Sequence, residues 1–244
     1  IQQCYDFGNP NDDFEFDDEE VDAIEFGGKH TLLDGGMTLN WAIFYSEYTD
    51  LQTAVFKGVG FSVKNAAESE VTGLEIDLMW QATDNLRLGA NAAWLDAEYG
   101  SFKDGPCNAL QLDADPLCGT PQGISSNDLS GEPTTYASDY SYALFFDYIR
   151  PMGDMELFIG GEVNGRDEYS PAGDNDPLDM VDSRTKANLR VGLRGDWWEV
   201  MLYGRNIFDE DAWSQSYDTP VLAGSHSNYL EEGAVWGGRL KVTF

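Results

Sequence analysis

The chain has 244 residues, of which 42% are hydrophobic, and its formal net charge is -30. This charge repels phosphate groups and argues against nucleic acid or any other polyanion as a partner. A mean hydropathy of -0.40, without any apolar run near the roughly eighteen residues of a membrane helix, excludes a helical membrane protein but not one that crosses with strands.

Residues 1–20 are predicted to form an acidic loop. They include eight Asp or Glu residues, no Lys or Arg, and Cys4. The chain opens in polar sequence without a signal peptide, so an exported protein of this sequence is expected to be processed or partial. A first hairpin follows, with strands at residues 21–33 and 37–51 joined by a Gly-rich turn at residues 34–36.

Residues 65–102 predict a second, longer hairpin. Every second residue from Leu74 to Trp80 is apolar, which is the period-two pattern of a strand. After a turn at residues 83–85, the alternation continues to Trp94. Each arm exceeds the roughly five or six residues usual for a globular strand, which favours strands that cross a membrane.

Cys107 and Cys118 lie in a long loop, residues 103–135, that is rich in Gly, Pro, Ser and Asp. Three cysteines fit an oxidising compartment such as the periplasm or the cell surface. We predict a disulfide between Cys107 and Cys118, with two free thiols as the alternative. Cys4 then has no partner within this sequence.

Five further strands complete a predicted set of nine, at residues 136–151, 155–164, 183–194, 197–208 and 229–244. The connections between strands alternate in length, with tight turns at residues 153–154 and 195–196 and long loops at residues 165–182 and 209–228. Outer-membrane barrels have this asymmetry, with short periplasmic turns and long extracellular loops. A soluble sandwich does not require it.

Several phrases resemble the late barrel of TonB-dependent outer-membrane receptors. They are N-A-x-x-x-x-x-x-G-L-E-I-D at residues 65–77, G-A-N-A-A-W-L-D-A-E-Y at residues 89–99 and Y-G-R-N-I-F-D-E at residues 203–210. The strand that ends on Phe244 is similar to the terminal strand recognised by the barrel-assembly machinery.

The resemblance implies an all-β fold, an antiparallel transmembrane β-barrel of about 22 strands closed by a plug. This chain would supply about nine carboxy-terminal strands, since neither plug nor TonB-binding box occurs in it, and an isolated piece would leave two unpaired edges. We therefore divide it into an acidic extracellular loop, residues 1–20, and a barrel portion, residues 21–244.

Strand parity predicts which side chains face the barrel lumen and which face lipid. The polar side chains expected in the lumen are Glu156, Glu162, Lys186, Arg190, Arg194, Glu199, Arg205 and Arg239. Cross-strand ion pairs are the structural interpretation of this set, and contact with the plug or a substrate is the functional one. The aromatic residues expected at the membrane interface are Trp41, Trp80, Trp94, Tyr148, Trp198, Trp236 and Phe244.

The loops offer candidates for ligand and metal binding. Asp174 and Asp176 are candidates for calcium binding through oxygen ligands, with solvated carboxylates as the alternative. Tyr169, Trp213 and Tyr217 are candidates for stacking on a ligand, with a place in the aromatic girdle as the alternative. Beyond calcium at these acidic loops, no cofactor is expected.

The sequence does not predict an enzyme. Two histidines, His30 and His226, argue against a His-based zinc site. Ser225 and His226 are sequence neighbours, which rarely gives the geometry of a catalytic triad, and the sequence has neither a G-x-S-x-G phrase nor a phosphate-binding glycine loop.

The resemblance implies a receptor in the outer membrane of a Gram-negative bacterium that imports a scarce nutrient, such as an iron chelate (siderophore), cobalamin or an oligosaccharide. The expected partners are the remaining barrel and plug, TonB through its box, outer-membrane lipid and lipopolysaccharide, and the nutrient. A passive porin or structural barrel is the first alternative, and a soluble β-sandwich adhesin is the second.

Overall fold

A computed structural model describes residues 17–57, 60–118, 123, 125–219, 222 and 224–244. Cys4 and most of the predicted acidic loop at residues 1–20 lie outside the described residues. The described residues form a 3-10 helical turn (Leu33–Gly35), one short α-helix, α1 (Ala109–Ala114), and the strands β1 (Glu20–Leu32), β2 (Met37–Lys57), β3 (Gly60–Thr83), β4 (Leu86–Ser101), β5 (Tyr140–Met152), β6 (Met155–Arg166), β7 (Arg184–Arg194), β8 (Trp198–Arg205), β9 (Trp213–Asp218), β10 (His226–Leu230) and β11 (Val235–Val242).

Nine strands form one antiparallel sheet in the order β1-β2-β3-β4-β5-β6-β7-β8-β11. Each strand pairs with its neighbour along the chain, except that β11 pairs with β8 across the β9–β10 hairpin. This meander confirms the predicted number of main strands and their consecutive order. β1 and β11 are the two edges of the sheet.

The register places apolar residues on one continuous face, because directly paired residues of antiparallel strands share a face. Ile76 pairs with Ala92, and Ala92 pairs with Tyr142, so the apolar positions of β3, β4 and β5 coincide. Leu202 and Leu240, on the same face further along the sheet, are 62% and 70% exposed. Such a broad exposed apolar face is the mark of a surface that contacts lipid or another apolar partner.

The opposite face of the sheet is polar, and its charged side chains include Arg87, Asp147, Arg190, Arg194 and Glu199. A glycine on this face allows close packing of a neighbouring ring, because a Cβ at Gly89 would lie 2.1 Å from Cζ of Phe145. Among the described residues, no helix has the length and apolar character needed to cross a membrane.

A small buried cluster lies where the long loop after β4 folds back on the sheet. It is formed by Ala67, Tyr99, Phe102 and Leu129, with Leu51 against it. Backbone hydrogen bonds hold the loop in place, since the amide of Leu129 donates to the carbonyl of Phe102 at 2.8 Å. The loop after β4 is therefore packed against this end of the sheet.

The structure corrects several predicted boundaries. The predicted loop at residues 209–228 is wrong in part, because β9 and β10 form a hairpin within it, and the last strand begins at Val235. The strand predicted at residues 37–51 is longer in the structure, since β2 extends to Lys57, and the next strand, β3, already starts at Gly60.

The predicted loop at residues 103–135 contains α1. An Asn108–Gln111 capping box starts this helix.

Candidate functional site

The polar face carries a row of cross-strand ion pairs. Arg87 donates to Asp147 at 2.8 Å, and Arg190 contacts the other oxygen of that carboxylate. Arg194 pairs with Glu156 at 2.6 Å on the adjoining strands. Each pair joins strands that neighbour one another or lie two apart in the sheet, so these charges tie the face together.

The structure places the predicted lumen residues on this polar face. Glu199 pairs with Arg239 at 2.5 Å, and Glu162 accepts a hydrogen bond from Asn164 at 2.8 Å. The predicted set of lumen residues did not include Arg87 and Asp147, although each stands at a polar position of an alternating strand. That the face lines a barrel lumen stays a prediction.

Lys186 and Arg205 lie near the end of the sheet where the long loops begin, and each contacts the connection before β11. Lys186 Nζ lies 3.0 Å from Glu231, which also accepts from Arg166 at 3.2 Å and Arg184 at 3.0 Å. These four side chains, which we call the rim cluster, are each between 11% and 19% exposed. Arg205 pairs with Glu232 at 3.2 Å in a much more exposed position.

The rim cluster has three cations for one carboxylate. Burial disfavours the Glu231 carboxylate, but the hydrogen bond from Lys186 and the charges of Arg184 and Lys186, with a hydrogen bond from Arg166, lower its pKa overall. One nitrogen of Arg166, Nη1, is buried without a hydrogen-bond partner among the described residues. The cluster therefore has more cationic than anionic side chains, which suits an anionic ligand.

Tyr169, one of the three candidate ligand-stacking aromatics of the loops, contacts the rim cluster. Tyr169 is 9% exposed, its hydroxyl donates to the carbonyl of Ser214 at 2.7 Å, and Arg166 lies 4.4 Å from its ring centroid. Trp213 is half-buried in β9, and the hydroxyl of Tyr217 lies 3.5 Å from that of Tyr229. In this arrangement Tyr169 packs within the loops, while Trp213 and Tyr217 are partly accessible.

An acidic cluster gathers residues from two long connections. The metal-ligating atoms of Asp176, Asp179, Asp218 and His226 all lie within 4.8 Å of one another. His226 Nδ1 is 2.9 Å from Asp179 and 3.5 Å from Asp218. These residues, which we call the Asp–His cluster, could hold a metal ion.

Asp174 lies beside the Asp–His cluster and is not one of its four members. Burial raises the pKa of Asp174 to about 6, and burial also raises the pKa of Asp218. The hydrogen bond to Asp179 raises the pKa of His226. Of the two calcium candidates, the structure thus brings Asp176 into a metal-ligand geometry, together with a histidine that sequence reasoning had set aside.

The predicted disulfide is confirmed, because Cys107 and Cys118 are bonded. It closes a loop that contains α1, and the backbone amide of Ala109 at the start of that helix donates to Asp218 at 2.9 Å. The disulfide loop is thereby attached to the Asp–His cluster. The close spacing of the two cysteines in one loop was the signal that predicted the bond.

The predicted interface aromatics lie on the apolar face or at the chain end. Trp80, Trp94 and Trp236 are between 37% and 67% exposed, and Phe244 is fully exposed. Trp41 donates its indole N–H to His30 at 3.1 Å. Tyr148 and Trp198 have the same parity, paired with Leu86 and Val242. Their role at a membrane interface stays a prediction.

Comparison with known proteins identifies the fold. Residues 3–207 match the family described as TonB dependent receptor-like, beta-barrel. Solved structures that superpose on the chain include the ferric yersiniabactin uptake receptor FyuA from Yersinia pestis, at a TM-score of 0.69 and 16% identity over 93% of this chain. The siderophore receptor PiuA from Acinetobacter baumannii superposes at 0.68 and 20% identity over 91% of it. The ferric-catecholate import receptor Fiu from E. coli K12 superposes at 0.64 and 16% identity over 100%.

The chain spans 30%, 28% and 30% of the lengths of those three proteins. At these identities the superpositions show the fold, an antiparallel β-barrel wall, and the family match covers most of the sequence. This chain belongs to the family of TonB-dependent receptors, within the β-barrel.

Proposed function

We propose that this chain is a part of the barrel of an outer-membrane receptor for energised uptake of a scarce nutrient. The observation that carries the proposal is the difference between the two faces of the sheet. One face is apolar, continuous and exposed, and the other is polar and ion-paired. An apolar band suits lipid, and a polar interior suits a wet lumen. In this proposal the segment at residues 1–20 is an extracellular loop and residues 21–244 belong to the barrel.

The proposed cargo is an anionic iron chelate. Support comes from the rim cluster, where three cations surround Glu231 at the end of the sheet from which the long loops emerge. The names of the superposed proteins refer to ferric yersiniabactin, to a siderophore and to a ferric catecholate. Cobalamin, whose phosphate is offset by the charge of its cobalt centre, and neutral oligosaccharides have no net negative charge for such a cluster to attract.

The proposed partners follow from the family. The remaining barrel strands would pair with β1 and β11 and remove the two sheet edges. A plug would occupy the lumen, and TonB would act on it from the inner membrane. Lipid and lipopolysaccharide would contact the apolar face and the loops.

A comparison of nutrient uptake between a strain that lacks the gene for the full-length receptor and complemented strains tests this function. Labelled ferric chelates, cobalamin and oligosaccharides are offered in turn to the deletion strain, to the complemented strain and to a complemented strain without TonB. We expect uptake of a ferric chelate that needs both receptor and TonB. Uptake that needs the receptor but not TonB would contradict the proposal and would favour the alternative function of a passive porin.

Two variants test the role of the rim cluster. Lys186→Gln removes one of the buried cations, whereas Arg205→Gln removes an exposed cation of the same end of the sheet. We expect the first variant to raise the concentration needed for half-maximal chelate uptake and the second to change it little. Equal effects would show that the cluster does not select the cargo.

A further inference from the structure

The Asp–His cluster is built by loops that are far apart in sequence. Asp176 and Asp179 belong to the connection between β6 and β7, whereas Asp218 ends β9 and His226 begins β10. Their ligating atoms, three carboxylate oxygens and one imidazole nitrogen, all lie within 4.8 Å of one another. Ligands at about 2.0–2.2 Å from an ion are about 3.3–3.6 Å apart in a tetrahedral zinc site, and opposite ligands are about 4.0–4.4 Å apart in a six-coordinate site. A small inward movement of the side chains would therefore complete such a site.

Two of the carboxylates are fully buried, and each has one oxygen without a hydrogen-bond partner among the described residues. Asp176 and Asp179 are both 0% exposed. Oδ2 of each, and Oδ1 of Asp218, have no hydrogen-bond partner among the described residues. A buried carboxylate oxygen without a partner is costly, because it has lost its hydration without gaining a hydrogen bond or a metal ion.

The remaining oxygens are used, which shows that the side chains are positioned. Asp179 Oδ1 accepts from the hydroxyl of Ser216 at 2.6 Å, and Asp176 Oδ1 accepts from the amide of Leu178 at 2.9 Å. These hydrogen bonds orient the carboxylates and leave one oxygen of each free. Metal ligands are commonly oriented in this way by their second oxygen or nitrogen.

The charges of the cluster are not balanced by protein side chains. Within the part of the chain that the structure describes, the ion pairs of Asp179 and Asp218 are with His226, and no Lys or Arg pairs with any of the three carboxylates. A protonated His226 would supply one positive charge against three carboxylates, with Asp174 close by. A divalent ion would supply two charges and leave the imidazole neutral.

We propose that Asp176, Asp179, Asp218 and His226 bind a divalent ion of the first transition series, zinc or manganese, that fastens the long loops together. The imidazole nitrogen separates this site from a calcium site, which would take six to eight oxygen ligands. This inference concerns the loops and is independent of the cargo that the receptor carries.

The position of the site gives it a structural consequence. Asp218 accepts from the backbone of α1, and Asn127 Nδ2 donates to the carbonyls of Asp174 at 2.9 Å and Pro106 at 2.7 Å. Three connections, between β4 and β5, β6 and β7, and β8 and β11, therefore meet at the cluster. An ion there would cross-link all three, and its removal would loosen them while the sheet stays paired.

Metal titration of the full-length receptor in detergent tests the proposal. After a chelator wash, zinc, manganese and calcium are each titrated by calorimetry into the wild type and into Asp179→Asn and His226→Gln. We expect one equivalent of zinc or manganese, with binding weakened about tenfold or more in either variant. Asp182→Asn is the matched control, since Asp182 is an exposed carboxylate of the same connection as Asp176 and Asp179.

Two further measurements make the result decisive. Cobalt added to the chelator-washed receptor should give a visible absorption band that changes in His226→Gln, because the imidazole is a ligand. Limited proteolysis at residues 206–234 should slow when zinc or manganese is present. Heat-modifiable migration in gels checks that each variant has folded.

Three outcomes would overturn the proposal. One is the lack of saturable binding at one equivalent in the wild type, and another is equal binding by Asp179→Asn and Asp182→Asn. Preferred binding of calcium that is unchanged in His226→Gln would overturn the assignment to a transition metal.

Discussion

Replacing Glu231 by glutamine should release the connection before β11 from the end of the sheet. The carboxylate lies 3.0–3.2 Å from Arg166, Arg184 and Lys186, and it is 18% exposed. Glutamine keeps the shape of the side chain and removes the charge. Three cations, themselves mostly buried, would then face one another without an anion.

The magnitude follows from the distances and the burial. Each ion pair at about 3 Å has a gross attraction of about 5–6 kcal/mol at an effective dielectric constant of about 20. Desolvation offsets much of this attraction, and removal of one partner of a buried pair costs about 3–5 kcal/mol. We expect the lower end, about 3 kcal/mol, for Glu231→Gln, because the cluster is near the surface. The cost should appear as easier opening of residues 206–234, since Glu231 holds this connection.

Hydrogen exchange measured by mass spectrometry on the receptor in detergent detects such local opening. The matched control is Glu232→Gln, because Glu232 pairs with Arg205 at 3.2 Å where the two side chains are 59% and 56% exposed. Exposed pairs contribute at most about 1 kcal/mol. The two substitutions are adjacent and chemically identical, so a clear difference between them isolates the effect of burial.

The effect of Glu231→Gln should depend on pH with a definite sign. The pKa of Glu231 in the folded protein is lowered below its usual value of 4.5, so its contribution is fully present above that value. It is lost as the pH falls through the lowered pKa. Wild type and variant should therefore converge in acid. Equal opening in Glu231→Gln and Glu232→Gln at neutral pH, or a difference that persists in strong acid, would refute the reasoning.

Three further predictions concern the loop and the sheet. Double replacement of Cys107 and Cys118 by serine should destabilise their loop by about 3 kcal/mol in the loop-entropy description, seen as faster proteolysis there with the sheet unchanged. Leu144→Arg on the apolar face should cost about 2–4 kcal/mol in a bilayer, whereas Ala143→Arg on the polar face should cost less, as measured by urea titration in vesicles. Gly89→Val should reduce the heat-modifiable folded fraction, since overpacking costs about 1–3 kcal/mol and the ring beside this glycine fills the space.

The main strands could be predicted because alternation is a local signal that is repeated over many residues. The apolar residues from Leu74 to Trp80 define a face by themselves, and the register in the structure only aligns that face with its neighbours. The β9–β10 hairpin was missed because its strands are short and polar and lack a two-residue turn. The helix α1 had a sequence signal, the spacing of Asn108 and Gln111, that reasoning from loop composition passed over.

The candidate metal site could be predicted only in part, for a reason of distance along the chain. Asp174 and Asp176 are close in sequence, so their phrase suggested oxygen ligands. Asp218 and His226 come from another connection and join the site through the β9–β10 pairing, in which they are directly opposed. The number of histidines in a sequence says little about a site that needs one histidine and several carboxylates.

This chain has 14 Lys and Arg against 44 Asp and Glu, so most of its carboxylates cannot each have a basic side chain as a partner. Among the described residues, the Lys and Arg side chains that form ion pairs lie on β4, β6, β7, β8 and β11. Glu231 and Glu232 of the last long connection pair with cations of these strands. The carboxylates of the Asp–His cluster have no Lys or Arg partner among the described residues, so we expect cations from outside the chain to balance them. Salt screens exposed ion pairs, whereas a chelator removes only bound metal. Salt should thus weaken the contacts of the polar face, and a chelator should loosen the loops alone, so the two treatments separate the electrostatics of the sheet from those of the loops.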